Sequence, residues 1–219
     1  MTCHLDHLLI GARSLADCVN WAAQALGVTA TPGGHHPGRG TENVLLGLES
    51  NSYLEFIATS KVAGGRSRAS ELLWRLDDPA FCWWAVASHD LERARSALIS
   101  RGIPCGELVA GERETTAGAR LRWRLCYPQS GDFGALLPFL IEWESADAHP
   151  SMNLAAELQL ERLELSTPRP DRLLAALDAL ELQEPALTVS EAPEQTMAVT
   201  LRAGQRRTTL AGPAQPAVA

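Results

Sequence analysis

The chain has 219 residues, 46% of them hydrophobic and 21% charged, which is enough for one large or two small domains with a core. A formal net charge of -7, a pI near 5.4 and the lack of a basic stripe interleaved with aromatics argue against nucleic acid or an anionic membrane as partner. The start has no basic flank or apolar signal core, and the longest apolar run, 135–141, is too short to span a bilayer; the expectation is a cytoplasmic protein. Five cysteines, Cys3, Cys18, Cys82, Cys105 and Cys126, lack CxxC spacing and sit mostly in apolar runs, which predicts reduced core thiols.

A strand is expected at the start, through Leu5-Asp6-His7-Leu8-Leu9-Ile10. Ser14 then caps a helix over 16–26, closed by Gly27 in the left-handed position. Residues 31–40, rich in glycine and proline, read as loop, and 41–48 and 52–58 as short strands with hairpin spacing. A linker helix over 67–76 leads to a second copy of the same unit. It begins at Phe81-Cys82-Trp83-Trp84, continues with a helix over 91–100 ended by Gly102, and adds strands in 104–118, 121–127 and 138–144. The two copies match best at their ends, and the extra residues of the second around 111–118 suggest a longer hairpin or a loop over a pocket. Beyond Pro150 the pattern starts a third time, with strand 158–166, helix 171–182 and strands 187–189 and 197–202. The organisation expected is a first βαβββ module over 1–66, a linker over 67–80, a second module over 81–151, a partial third βαββ module over 152–211 that packs on the others or forms a homodimer contact, and a disordered tail over 212–219.

Each of the first two units ends on a glutamate flanked by large apolar residues, Glu55 in Tyr53-Leu54-Glu55-Phe56-Ile57 and Glu142 in Leu140-Ile141-Glu142-Trp143. Such a carboxylate is costly to bury unless it is paired, hydrogen-bonded or bound to a cation, and its repetition suggests one shared site. Alternation along strands puts Tyr53, Glu55 and Ile57 on one face, Leu140 and Glu142 on the equivalent face, and Ile141 and Trp143 towards a helix. His7 with Leu5 and Leu9, and Asn43 with Leu45, then face a concave sheet that collects His7, Asn43, Glu55 and Glu142.

The doubled pattern, with a histidine in the opening strand and a glutamate in the closing one, resembles the vicinal oxygen chelate superfamily. More narrowly, Leu5-Asp6-His7, Gly33-Gly34-His35-His36-Pro37-Gly38-Arg39-Gly40-Thr41-Glu42-Asn43, Tyr53-Leu54-Glu55 and Leu137-Pro138-Phe139-Leu140-Ile141-Glu142-Trp143, with His149-Pro150-Ser151, are similar to bacterial glyoxalase-like domain proteins. The resemblance implies an α+β fold, paired βαβββ modules forming a cupped mixed sheet. It also implies His7, Glu55 and Glu142 as ligands of a divalent ion (Zn, Mn, Fe, Ni or Mg), polarising a substrate carbonyl. Trp83 stands where many members place a fourth ligand, so the set is three-ligand, or the metal is lost and the pocket only binds.

Two functions follow as expectations. The first is a metal-dependent lyase, isomerase or dioxygenase on a small oxygen-rich molecule, with Glu142 and His36 as catalytic groups and His36, Thr41, Asn43, Trp83 and Arg124 as substrate contacts. The second is a metal-free module that binds or sequesters a small molecule against Trp83. A structural domain is the third. For individual residues the plain readings stand beside these: His7 as a core histidine, Glu55 and Glu142 as buried partners of Arg122 or Arg124, His36 as a surface residue, Thr41 and Asn43 as loop caps, and His149 as a turn residue. Other catalytic signatures are missing, among them the Gly-x-Ser-x-Gly elbow, the P-loop and His-Glu-x-x-His.

Overall fold

Strands that are apolar at nearly every position must be covered on both faces. The opening strand β1 (His4–Ala12) is buried after its first residue, β4 (Tyr53–Thr59) through residue 58, and β5 (Ala80–Ala87) after its first residue, whereas Arg120–Cys126 alternates between exposed and half-buried side chains until its end. The computed structural model accounts for this with a closed barrel whose interior is lined by one set of side chains and whose outside is partly covered. It describes residues 3–36, 39–49, 51–60, 68–115, 118, 120–129 and 131–213.

The first unit consists of β1, helix α1 (Leu15–Trp21) continued by a π-helical turn to Leu26, and strands β2 (Thr31–His36), β3 (Thr41–Leu48) and β4. Ser14 caps α1 by accepting from the Asp17 amide at 3.2 Å, and Gly27 ends the helical stretch at φ 72°, both as expected. After helix α2 (Arg68–Leu73) the second unit repeats the order with β5, helix α3 (Leu91–Ser100), β6 (Val109–Thr115), β7 (Arg120–Cys126) and β8 (Phe139–Trp143). Within this single chain β1 pairs antiparallel with β5, β4 parallel with β1, and β8 parallel with β5. The ring runs β3-β2-β6-β7-β8-β5-β1-β4 and closes through β3–β4. Helix α1 lies against β1, β3 and β4, and α3 against β7 and β8.

The third unit holds β9 (Ala156–Thr167), helix α4 (Pro170–Ala179), β10 (Leu187–Glu191), β11 (Thr196–Ala203) and β12 (Arg206–Pro213). It joins the barrel where β9 runs parallel to β3, pairing Gly47 with Ala156 and Leu48 with Leu158, and where β12 crosses β5. Both crossings need glycine. A Cβ on Gly47 would stand 2.3 Å from the Ala155 carbonyl oxygen, and one on Gly212 would stand 1.6 Å from that of Phe81.

Three sequence expectations change. Residues 31–36 form strand rather than loop, because Gly33 and Gly34 let the backbone run close between β3 and β6. The third unit has one strand more than expected, β12, which takes in Gly212 and Pro213 of the supposed tail; Pro213 sits at its end, where proline is tolerated, and 214–219 lie outside the described residues. The linker helix is shorter than 67–76, and residue 67 lies outside the described residues. All five cysteines are free, four of them buried; burial pushes the Cys18 thiol up to about 12 and the Cys82 thiol up to about 11. Among the described residues no helix is long and apolar enough to cross a membrane.

Candidate functional site

Asp6 and His7 are neighbours in β1, and in a regular strand they would point to opposite faces. A register shift between Leu5 and His7 against β5 breaks that alternation, so that His7 Nδ1 and Asp6 Oδ1 lie 2.6 Å apart. Asp6 is fully buried. Its second oxygen accepts from Trp143 Nε1 at 2.9 Å and meets His149 Nε2 at 3.1 Å, which ties β1 to the end of the second unit. Burial pushes its carboxyl up, yet the bonds and charges of His149 and His7 outweigh this and hold it below the usual carboxylate range. An ionised Asp6 fixes the His7 proton on Nδ1 and turns Nε2 to the barrel interior.

Opposite that nitrogen, Glu55 on β4 places Oε2 at 3.4 Å, and its other oxygen accepts from Asn43 Nδ2 at 2.7 Å. His36 stands beyond it, with Nε2 3.9 Å from Glu55 Oε1 and Nδ1 2.9 Å from Thr41 Oγ1. Burial, partly offset by Glu55 and reinforced by Arg113, lowers the pKa of His36. Tyr53 stacks on the His7 ring at a centroid distance of 4.7 Å, and burial, with Asp6 and Glu55 nearby, pushes its phenol well up. The cavity holds about 790 Å³ of empty space including its open mouth. Its far wall is aromatic: Trp83 meets Phe139 edge-on at 5.2 Å and lies 5.8 Å from Tyr127, while Trp123 and Trp143 are 5.3 Å apart.

Five expected positions therefore line this interior together with Glu55: His7, His36, Thr41, Asn43 and Trp83. Glu142 and Arg124 do not. Phe139, Ile141 and Trp143 face the cavity, so Glu142 points outwards, where Arg124 donates to it through Nε at 2.7 Å and through Nη2, and where it accepts from the Leu91 amide that opens α3 at 3.3 Å. The reason is register. Glu55 pairs with Leu9, two residues after His7, and Phe139 pairs with Ala85, two residues after Trp83, so the counterpart of Glu55 in the second unit is Phe139, three residues before Glu142, and an odd offset puts a side chain on the other face. The expected pairing of a glutamate with Arg124 holds for Glu142, whereas Glu55 has Asn43 and His7.

The ligand set His7, Glu55 and Glu142 is accordingly not assembled, and Trp83 fills the equivalent place on β5 with its Nε1 donating to the Leu137 carbonyl at 2.6 Å. Among the described residues no three His, Cys, Asp or Glu side chains are grouped to hold a metal ion. Sequence reasoning missed the roles of Asp6, Tyr53, Arg113 and His149. Asp6 beside His7 in an apolar strand was the available signal; Arg113, in the stretch where the copies diverge, gave none.

A barrel closed from two βαβββ units, with its polar cluster on the inner face of the opening and closing strands, is the architecture of the vicinal oxygen chelate superfamily. The model of the glyoxalase-like domain family matches residues 5–181, and the chain belongs to that family. In structure it is similar to a hypothetical protein from Staphylococcus aureus, with TM-score 0.63 and 16% identity over 95% of this chain and 85% of that one. It is also similar to a variant of 4-hydroxymandelate synthase from Streptomyces coelicolor, with TM-score 0.50 and 11% identity over 96% of this chain and 62% of that one. A weaker likeness, TM-score 0.43 with 21% identity over 65% of this chain and 87% of that one, links it to methylmalonyl-CoA epimerase from Mycobacterium tuberculosis. No curated protein matches the sequence.

Proposed function

We propose that the barrel interior is the active site of a lyase- or isomerase-type enzyme that moves a proton on a small, oxygen-bearing molecule. His7 is the acid/base group, Glu55 the second one, and Asp6 the residue that positions His7. The observation carrying this reading is the line Asp6–His7–Glu55: an ionised, fully buried carboxylate on one ring nitrogen, and a second carboxylate 3.4 Å from the other. Both groups face the cavity side by side, so a substrate C–H or O–H seated against them gives its proton to the unprotonated one while the other, when protonated, returns its own. Trp83, Tyr127 and Phe139 supply a flat apolar wall, and Asn43 keeps Glu55 in place.

The test is deuterium exchange, followed by NMR, of 2-oxo and 2-hydroxy acids in D₂O. Exchange next to the carbonyl by the wild-type protein, reduced about a hundredfold or more in His7→Gln, is the expected result. Near-stoichiometric divalent metal in the purified protein that disappears in both His7→Gln and Glu55→Gln would overturn it in favour of metal-assisted chemistry. The aromatic wall favours a second reading, a binding or sequestering module; quenching of tryptophan fluorescence by ligands with no exchange of any of them is its signature.

A further inference from the structure

Arg113 on β6 lines the same cavity and is 5% exposed. Its Nη1 donates to the Gly33 carbonyl of β2, and among the described residues that is its single hydrogen-bond partner and no carboxylate lies within ion-pair distance of it. The other charged residues on β6 are otherwise engaged or distant: Glu112 is half-exposed and pairs with Arg120 and Arg122, and Glu114 is exposed. The two acids that line the cavity are thus committed, Glu112 to Arg120 and Arg122 and Glu55 to Asn43 and His7, and buried Asp6 behind the wall is committed to His7, Trp143 and His149.

A buried guanidinium without a counter-ion is costly, and evolved interiors normally supply one. Its remaining donors, Nε and Nη2, are not among the sealed, unpartnered polar atoms, and the residue lines the cavity. A guanidinium held by one nitrogen with its other donors free presents the planar fork that takes a carboxylate. The opposite wall is aromatic, with Trp83, Tyr127 and Phe139 in mutual contact.

We propose that Arg113 is the anion-recognising residue of the cavity and that its ligand is a small aromatic carboxylate, with the carboxylate on Arg113 and the ring against Trp83 and Phe139. This rests on the barrel interior being the ligand site, though not on the chemistry assigned to His7.

The experiment compares phenylacetate with its neutral isostere phenylacetamide, with binding read by tryptophan fluorescence on the wild-type protein and on Arg113→Gln, Arg113→Lys and His7→Gln. The expected result is a preference for the carboxylate of about tenfold or more in the wild type, lost in Arg113→Gln, reduced in Arg113→Lys and kept in His7→Gln. Equal affinity of the wild type for the two compounds, no binding of either, or a preference that survives Arg113→Gln overturns the proposal. Because Arg113 also holds β2, Arg113→Lys and the wild-type comparison decide the matter if Arg113→Gln fails to fold. Failure of the proton-transfer reading shows separately, as binding without exchange.

Discussion

Asp6 is the residue on which the site's electrostatics turn. Removing it leaves His7, Trp143 and His149 without their shared acceptor in a buried place, and Asp6→Ala is expected to destabilise the fold by about 3–5 kcal/mol in urea titrations. Because the folded state holds its carboxyl low, Asp6 contributes stability that is present above the unfolded value of about 4 and is lost as the pH falls further. His36 acts one step higher on the pH scale. Burial keeps it neutral in the fold, so stability falls as the pH drops below about 6.5, where the unfolded chain takes up the proton. Urea midpoints at pH 7.5 and 5.5 are expected to differ less in His36→Gln than in the wild type. Glu142 is the control: it stands outside the cavity in a pair whose arginine is half-exposed, so Glu142→Gln costs about 1 kcal/mol or less and leaves ligand binding unchanged in a fluorescence titration. A large loss of binding there would contradict the assignment of β8's faces.

Among the elements, the junction of β2 with β6 joins the two units on the side away from β1 and β5. Two residue pairs make it, Gly34 with Thr115 and His35 with Glu114. Gly34 sits at φ 152°, and a Cβ there would stand 2.4 Å from the Glu114 carbonyl oxygen. Gly34→Ala therefore separates the strands, and a loss of about 2 kcal/mol or more in thermal or urea unfolding is expected, with faster amide exchange in β2. Gly33 has a different duty. A Cβ on it would meet Asn43 Oδ1 at 2.1 Å, which would push away the side chain that steadies Glu55. The glycine pair, read from sequence as loop, is what allows a strand to run beside both the site and its neighbour.

For the whole molecule, the third unit continues the barrel's sheet through β9 and covers β5 with β12. Ending the chain after residue 155 would strip Leu48 and Phe81 of that cover and leave the Gly47–Leu48 end of β3 without its β9 partner. Such a truncated protein is expected to lose cooperative unfolding and to aggregate, as seen by calorimetry and light scattering. Much of the protein was legible in the sequence: most strands and helices in their order, though not β2 or β12, the caps at Ser14 and Gly27, the doubled unit, the mostly buried thiols, and the meeting of His7, Asn43 and Glu55 on one face. These follow from local rules, period-two alternation and helix capping, which act within a few residues. Long-range packing alone turns Glu142 outwards, brings Asp6 to Trp143 and His149, and carries Arg113 into the cavity without a counter-ion. Each depends on the register between strands far apart in the chain, and a shift of one residue in that register exchanges inside for outside.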